Sequence, residues 1–338
     1  MKSARLAPLL LLAACGDDPA ETPPPAEPTW SLELDELEEA LLAVHPLGGD
    51  ANDLLAVGGP LSSAADGTPA IYRRQAGAWA PIAPPAQWAG AAWWAWSASV
   101  DDVWVVGENG QVARGPVDGL ALVDAGVPAS TVFYGVWGSA ADDVYLVGGS
   151  ARDPSGPFGV LVHWDGSSFA QLQPTGTASV ALDNALFKVW GTGPDHVVVV
   201  GTFGMALEWD GTTWTRTETN TQAQLTTVHG RSRDDYYAVG GFNQGLVLHW
   251  DGSSWTEIGE RFAPRLSGVH VAPDGRVWVA GDSGYLAIWD GAEWTALDTV
   301  LLTQFHAVWA GATEVFGVGG LLDLDEASRR GFAGRYGP

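Results

Sequence analysis

Few residues in this 338-residue chain are equipped for covalent or metal chemistry. Cys15 is the sole cysteine, so an intramolecular disulfide and a cysteine-built zinc cluster are both ruled out. His45, His229 and His270 recur at one place in a repeating pattern, where a metal would need several imidazoles within a few ångström of one ion. Trp96, Trp137, Trp190 and Trp309 fill the same place elsewhere, which points to packing between repeats rather than to a metal. Acid pairs Asp101–Asp102, Asp142–Asp143 and Asp234–Asp235, with single Asp53 and Asp195, also recur. Calcium needs six or more oxygens around one point. One acidic turn per repeat fits instead with carboxylates binding nearby backbone N–H groups. Lys188 stands alone in an acidic body; a desolvated lysine can be a nucleophile, but a solvated or salt-paired role is expected. Arg231, Arg233, Arg261 and Arg265 lie close in sequence but on different edges of the repeats, with no convergent set. No phosphate-binding glycine loop, HExxH or GxSxG is present. The expectation is a non-catalytic protein without a cofactor or bound metal.

The N-terminus reads as an address. Met1 to Cys15 is MKSARLAPLLLLAAC: Lys2 and Arg5 precede a short apolar stretch, residues 6–14. Nine residues are too few to span about 30 Å of hydrocarbon as a helix, so the segment reads as a cleaved signal peptide. Its end, Leu12-Ala13-Ala14-Cys15, resembles the bacterial lipobox. That resemblance implies a diacylglycerol on the Cys15 thiol, cleavage before Cys15 and acylation of the new amine. Several acyl chains anchor durably where one would be marginal. It further implies that Asp in the position after the lipidated cysteine retains the protein in the inner membrane. That position holds Gly16, which favours the outer membrane of a Gram-negative bacterium. The expected partners therefore begin with the lipid bilayer, engaged through acylated Cys15. Loss of the two cations Lys2 and Arg5 on cleavage takes the formal charge from −24 to −26. A nucleic-acid partner, which needs a basic footprint, is excluded. Residues 16–28, GDDPAETPPPAEP, have no apolar periodicity and read as an extended spacer reaching about 40 Å at ~3.1 Å per residue.

After residue 40 the chain repeats itself. A Val-Gly or Ala-Gly pair closes an apolar run seven times, at Gly58, Gly107, Gly148, Gly201, Gly240, Gly281 and Gly319. One unit shows the grammar. Residues 185–192 (ALFKVWGT), 196–201 (HVVVVG), 205–209 and 214–218 read as four antiparallel strands separated by turns. The second is nearly all apolar and so buried on both faces. Four short strands in about 40 residues is a propeller blade. No stretch carries a convincing helical pattern. The hairpin Trp-Asp-Gly-x-x-aromatic recurs at residues 164–169, 209–214, 250–255 and 289–294, with Gly supplying positive φ and the aromatics meeting across the strands. The last repeat ends at residues 332–337 (FAGRYG) without a fourth strand, while residues 29–34 (TWSLEL) look like fourth-strand text such as residues 254–258 (SWTEI). The fold expected is all-β: a seven-bladed β-propeller whose N-terminal strand closes the last blade, leaving no open edge. The organisation is a signal peptide over 1–14, lipidated Cys15 and tether over 15–28, and the propeller over 29–338. A monomer is expected.

These repeats are similar to the WDG-type repeats of secreted bacterial propellers, distantly kelch-like, and distantly similar to the Asp-box (BNR) repeats of sialidase-like propellers. The Asp-box reads Ser-x-Asp-x-Gly-x-Thr-Trp, and Asp251-Gly252-Ser253-Ser254-Trp255 is one residue shorter on each count. The resemblance implies the fold and not an activity.

The turns joining first to second and third to fourth strands are short and uniform. The second-to-third loops and the links between blades, which share the opposite face, carry the insertions: residues 60–69, 150–159, 174–184 and 321–331. Insertions gathered on one face of a repeat scaffold mark a working surface. The candidate binding residues are Asp66, Arg152, Asp153, Phe158, Asp323, Asp325, Arg329 and Arg330, a mixed-charge set in an acidic body. The reading is a membrane-anchored binding scaffold for a protein or a glycan. The alternative is a carbohydrate-active propeller, either a lectin or an Asp-box-type glycoside hydrolase, using exposed aromatics; several exposed Trp on the working face would favour sugar.

Overall fold

The computed structural model describes residues 27–60, 67–150, 158–258, 264–322 and 330–338. Seven four-stranded antiparallel sheets succeed one another along the chain, each a blade. Six blades use four consecutive strands. The seventh joins Phe305–Ala310, Val315–Gly319 and Gly331–Gly337 to the N-terminal strand Thr29–Leu37. Thr29 faces Gly337 and Trp30 faces Tyr336 in that pairing, so closure runs through the first and last strands described, as their sequences imply.

Strand identity follows burial. The second strands, such as Asp102–Gly107 and His196–Gly201, are sandwiched between two other strands and packed by neighbouring blades on both faces; Val103 to Val106 and Val197 to Val200 are buried. β-branched side chains suit such a doubly covered strand. The core lies between blades: Trp190, Val198 and Val200 of blade 4 meet Leu225, Tyr236 and Ala238 of blade 5. Each such side chain contributes about 1.5–3 kcal/mol by leaving water.

The sevenfold glycine has a steric cause. A Cβ at Gly201 would stand 2.3 Å from the Ala185 carbonyl oxygen at the entrance of the first strand, and one at Gly58 2.0 Å from that of Ala40. The second strand therefore ends against the backbone that enters its own blade, and only a residue without a side chain fits.

Each first strand carries a bulge near its start, as the register shift between Leu186 and Lys188 shows, and the same shift recurs in all seven blades. Bulges re-aim side chains. Here they line the central channel. One departure from the sequence reading is the run Gly176–Asp183 in the link between blades 3 and 4, a 3₁₀ helix that buries Ala178 and Ala181. Its small residues carry no helical period, yet two alanines suffice to seat it.

Candidate functional site

The channel is built from equivalent positions of seven first strands. At the end facing the short turns lie His45, Trp96, Trp137, Trp190, His229, His270 and Trp309. The packing role expected for this set holds, and its chemistry is specific. His229 Nδ1 accepts the Val271 N–H at 3.0 Å, His270 Nδ1 the Ala310 N–H at 3.2 Å, and His45 Nε2 the Ser97 N–H at 3.0 Å. Each ring thereby ties its blade to the next, and the His229 and His270 rings stack at 3.8 Å. An accepting nitrogen must be unprotonated. Burial pushes His45 down to about 4 and His229 to about 3; His270 is lowered too, by burial and then by its two histidine neighbours.

The other mouth opens on the face of the second-to-third loops and blade links, where a cavity of 250 Å³ lies. Here the bulged residues Trp93, Tyr134 and Phe187 form a continuous aromatic arc, with ring centroids 4.9 and 5.2 Å apart. Across from it stand Thr226, Ser267 and His306, with Gln224 and Arg265 beside them. Trp93 donates its indole N–H to Glu108 at 3.1 Å, His306 Nε2 bonds the Gly320 carbonyl at 2.8 Å, and Arg265 pairs with Asp282 at 3.3 Å.

Lys188 corrects the sequence reading. It is buried, and among the described residues it has no salt-bridge partner. Its side chain is 8% exposed, its Nζ donates to the Tyr134 carbonyl at 2.6 Å, and the Trp94 ring lies 4.1 Å away. Among the described residues no carboxylate pairs with it, and burial pushes it down to about 7. The residue forms part of both ends of the channel. The signal available in the sequence was its singularity: beyond Lys2, it is the only lysine in the chain.

The acid pairs also differ from expectation. The second acid of each pair bonds across strands rather than capping a turn: Asp102 holds Arg114 at 2.7 Å, Asp143 holds His163 at 2.7 Å and Asp235 holds His249 at 2.9 Å. Asp53 holds Arg73 at 2.6 Å in the same way. Turn capping belongs instead to the Asp-Gly hairpins, where Asp210 Oδ1 accepts the N–H groups of Thr212 and Thr213, and Asp251 those of Ser253 and Ser254. The flanking aromatics meet across the strands as expected, Trp209 with Trp214 at 5.5 Å and Trp250 with Trp255 at 5.6 Å.

The loops and links of this face carry a rim of exposed apolar side chains interspersed with polar ones such as Asn109 and Ser283. Phe158, Phe203 and Phe242 on second-to-third loops are 54%, 59% and 62% exposed; Val300 and Leu302 on the link to blade 7 are 87% and 94% exposed. Val180, on the link between blades 3 and 4, is exposed as well. Two of these sit on strained backbone. Phe203 has φ 54° where the equivalent turns carry Asn109 and Ser283, and Val300 has φ 52° where the link between blades 4 and 5 carries Asn220. Left-handed φ costs an L-residue with a bulky or branched side chain about 1–2 kcal/mol, which Asn largely escapes. Such strain gathers at functional positions. The large apolar side chains exposed among the described residues are Phe, Val and Leu, not Trp.

Of the sequence candidates, Phe158 lies on this rim. Arg330 is exposed at the start of the last strand and bonds Glu36 at 3.4 Å. Cys15, Asp66, Arg152, Asp153, Asp323, Asp325 and Arg329 lie outside the described residues. Arg231 and Arg233 are engaged by Asp235 and Asp195. Sequence reasoning missed Phe203, Phe242 and Val300, because their loops are short and only insertions had marked the face.

The architecture defines a seven-bladed β-propeller, and solved propellers match it. A structure of YCF48 from Cyanidioschyzon merolae aligns with a TM-score of 0.62 at 14% identity, covering 91% of this chain and 98% of that one. The WD40 repeats of RRP9 align at 0.67 and 10% identity, covering 91% and 97%. YCF48 bound to D1 peptide aligns at 0.52 and 17% identity, covering 66% of this chain and 72% of that one. These likenesses establish the fold alone. No protein-family model and no curated protein matches the chain.

Proposed function

We propose that this protein is an exported, lipid-anchored and non-catalytic binding scaffold that takes a protein or peptide on the face bearing the blade links and second-to-third loops. The observation that carries the reading is the set of exposed apolar side chains on the loops and links of this face, with Phe203 and Val300 held there against backbone preference. Exposed apolar patches ringed by polar residues mark interaction sites. The propeller YCF48, similar in fold, has been solved bound to a peptide. The rim's Phe, Val and Leu side chains favour a polypeptide over a sugar, which would stack on exposed Trp.

Replacing Phe203 and Phe242 together by Ser is expected to weaken binding of a peptide selected on the purified protein by roughly 100-fold, about 1–2 kcal/mol per lost aromatic anchor. The melting temperature should stay near that of the parent. Unchanged affinity would move the site elsewhere. The anchor rests on the lipobox-like LAAC sequence. Cys15→Ser is expected to abolish lipid labelling and release the protein from membranes; unchanged detergent partitioning would remove the lipoprotein part of the reading.

A further inference from the structure

We propose that Lys188 is the anchor of a carboxylate-binding site at the floor of the channel mouth, and that its occupant is the C-terminal residue of a peptide ligand. This inference deepens the function proposed above and rests on it for the peptide.

Lys188 occupies one of seven equivalent positions, whose other members are Ala43, Trp94, Gly135, Thr227, Gly268 and Ala307. Four of these are Gly or Ala, which leaves open the space into which the ammonium projects. Among the described residues one of its three N–H donors has a hydrogen-bond partner, the Tyr134 carbonyl, and the Trp94 ring lies beneath the ammonium. Burying an ammonium without a counter-charge is costly. A chain that uses arginine at every other cationic position beyond residue 2 nevertheless keeps this lysine.

Among the described residues no carboxylate lines the channel beside it. Among the described residues the titratable and charged groups lining the channel with Lys188 are Tyr134, His306 and Arg265 on the mouth side, and His45, His229 and His270 on the other. All three histidines below are held neutral by burial and accept backbone N–H groups, and His306 is pushed down to about 4. Arg265 is matched by Asp282 at the rim, and Glu108 is engaged by Trp93. Among the described residues nothing lining the channel offers the negative charge that would hold Lys188 as an ammonium. A carboxylate delivers it and forms a charge-assisted hydrogen bond with the ammonium. A phosphate would call for an arginine cluster or a nest of backbone N–H groups, and a single point-charge ammonium is the simpler match to a monoanion.

The cavity above is the size of one residue, 250 Å³, with an aromatic arc on one side and hydroxyl and amide groups on the other. That division suits the apolar side chain of a terminal residue against Trp93, Tyr134 and Phe187, and its amide against Gln224 or Ser267. The rest of the peptide would then cross the apolar rim.

The test uses the chain from Cys15 onward labelled with ¹³Cε-lysine, which gives a signal from Lys188 alone. Acetate is expected to raise the titration midpoint of Lys188, now about 7, by at least one unit, since a nearby opposite charge favours the ammonium. In parallel, the tripeptide Ala-Gly-Phe is offered as free acid and as C-terminal amide. The acid is expected to bind at least tenfold more tightly to the parent, and the difference should vanish in Lys188→Met. A midpoint that acetate leaves unmoved would overturn the anchor even if the variant fails to fold. Equal binding of acid and amide to the parent would overturn the C-terminal occupant while leaving the peptide-binding face intact. A midpoint moved by acetate, with neither peptide bound, would support the anion anchor and overturn the peptide reading beneath it.

Discussion

At the scale of single residues, histidine and tryptophan exchange in this propeller because both are flat rings that fill a wedge between first strands, and histidine adds a nitrogen that accepts the next blade's N–H. The exchange was readable from the repeat; the hydrogen bond was not, since it depends on where the neighbouring strand presents an N–H. Its consequence is acid sensitivity. In the unfolded chain these rings take up a proton near pH 6.5. In the fold they stay neutral until about pH 4 for His45 and about pH 3 for His229. The unfolded state therefore binds more protons below pH 6.5. Stability is complete above that value and declines as pH falls, by about 1.4 kcal/mol per pH unit and per ring. Urea unfolding between pH 6.5 and 4.5 should show a shallower decline in His229→Phe than in the parent. Identical slopes would contradict the neutral, accepting role. Lys188 was illegible for a related reason. Strict alternation would turn either Phe187 or Lys188 away from the channel, and the bulge between Leu186 and Lys188 brings both to it.

At the scale of elements, the closing strand was legible because its text repeats that of other fourth strands. Its side-chain latch was not. Glu33 on the N-terminal strand accepts both Nε and Nη2 of Arg74 in blade 1, at 2.7 and 2.9 Å, and the indole N–H of Trp79 at 2.9 Å. The Arg74 guanidinium also lies over Phe316 of blade 7 at 4.7 Å. The strand that completes the last blade is thus clasped by the first. Both partners are largely buried, so removing one strands the other's charge, at a cost of about 3 kcal/mol. Glu33→Ala should lower the urea midpoint accordingly, and deleting residues 29–36 should expose the edge of the Gly331–Gly337 strand and promote aggregation. A Glu33→Ala protein with the parental midpoint would show that the clasp is incidental to closure. The second-strand glycines belong to this scale too. Their period was plain in the sequence, and their cause, a carbonyl where a Cβ would stand, required the blade to be assembled.

At the scale of the whole molecule, the two faces of the ring differ in construction. One carries uniform hairpins in which Asp210 and Asp251 are spent on their own turns. The other carries the aromatic mouth, the apolar rim and the loops of variable length. Loop length in the sequence marks the second face as the candidate working one, and the described residues on short loops, Phe203, Phe242 and Val300, extend that candidate surface to blades that carry no insertion. Their role was hidden because a single apolar residue in a turn has no period to betray it. The most direct measurement is amide hydrogen exchange on the protein with and without a peptide selected from a random library. Protection is expected at Thr202–Gly204, at residues 241–245 and at residues 298–303, around the channel mouth. Protection confined to the hairpins at residues 165–168, 210–213 and 251–254 would place the ligand on the opposite face and contradict this account.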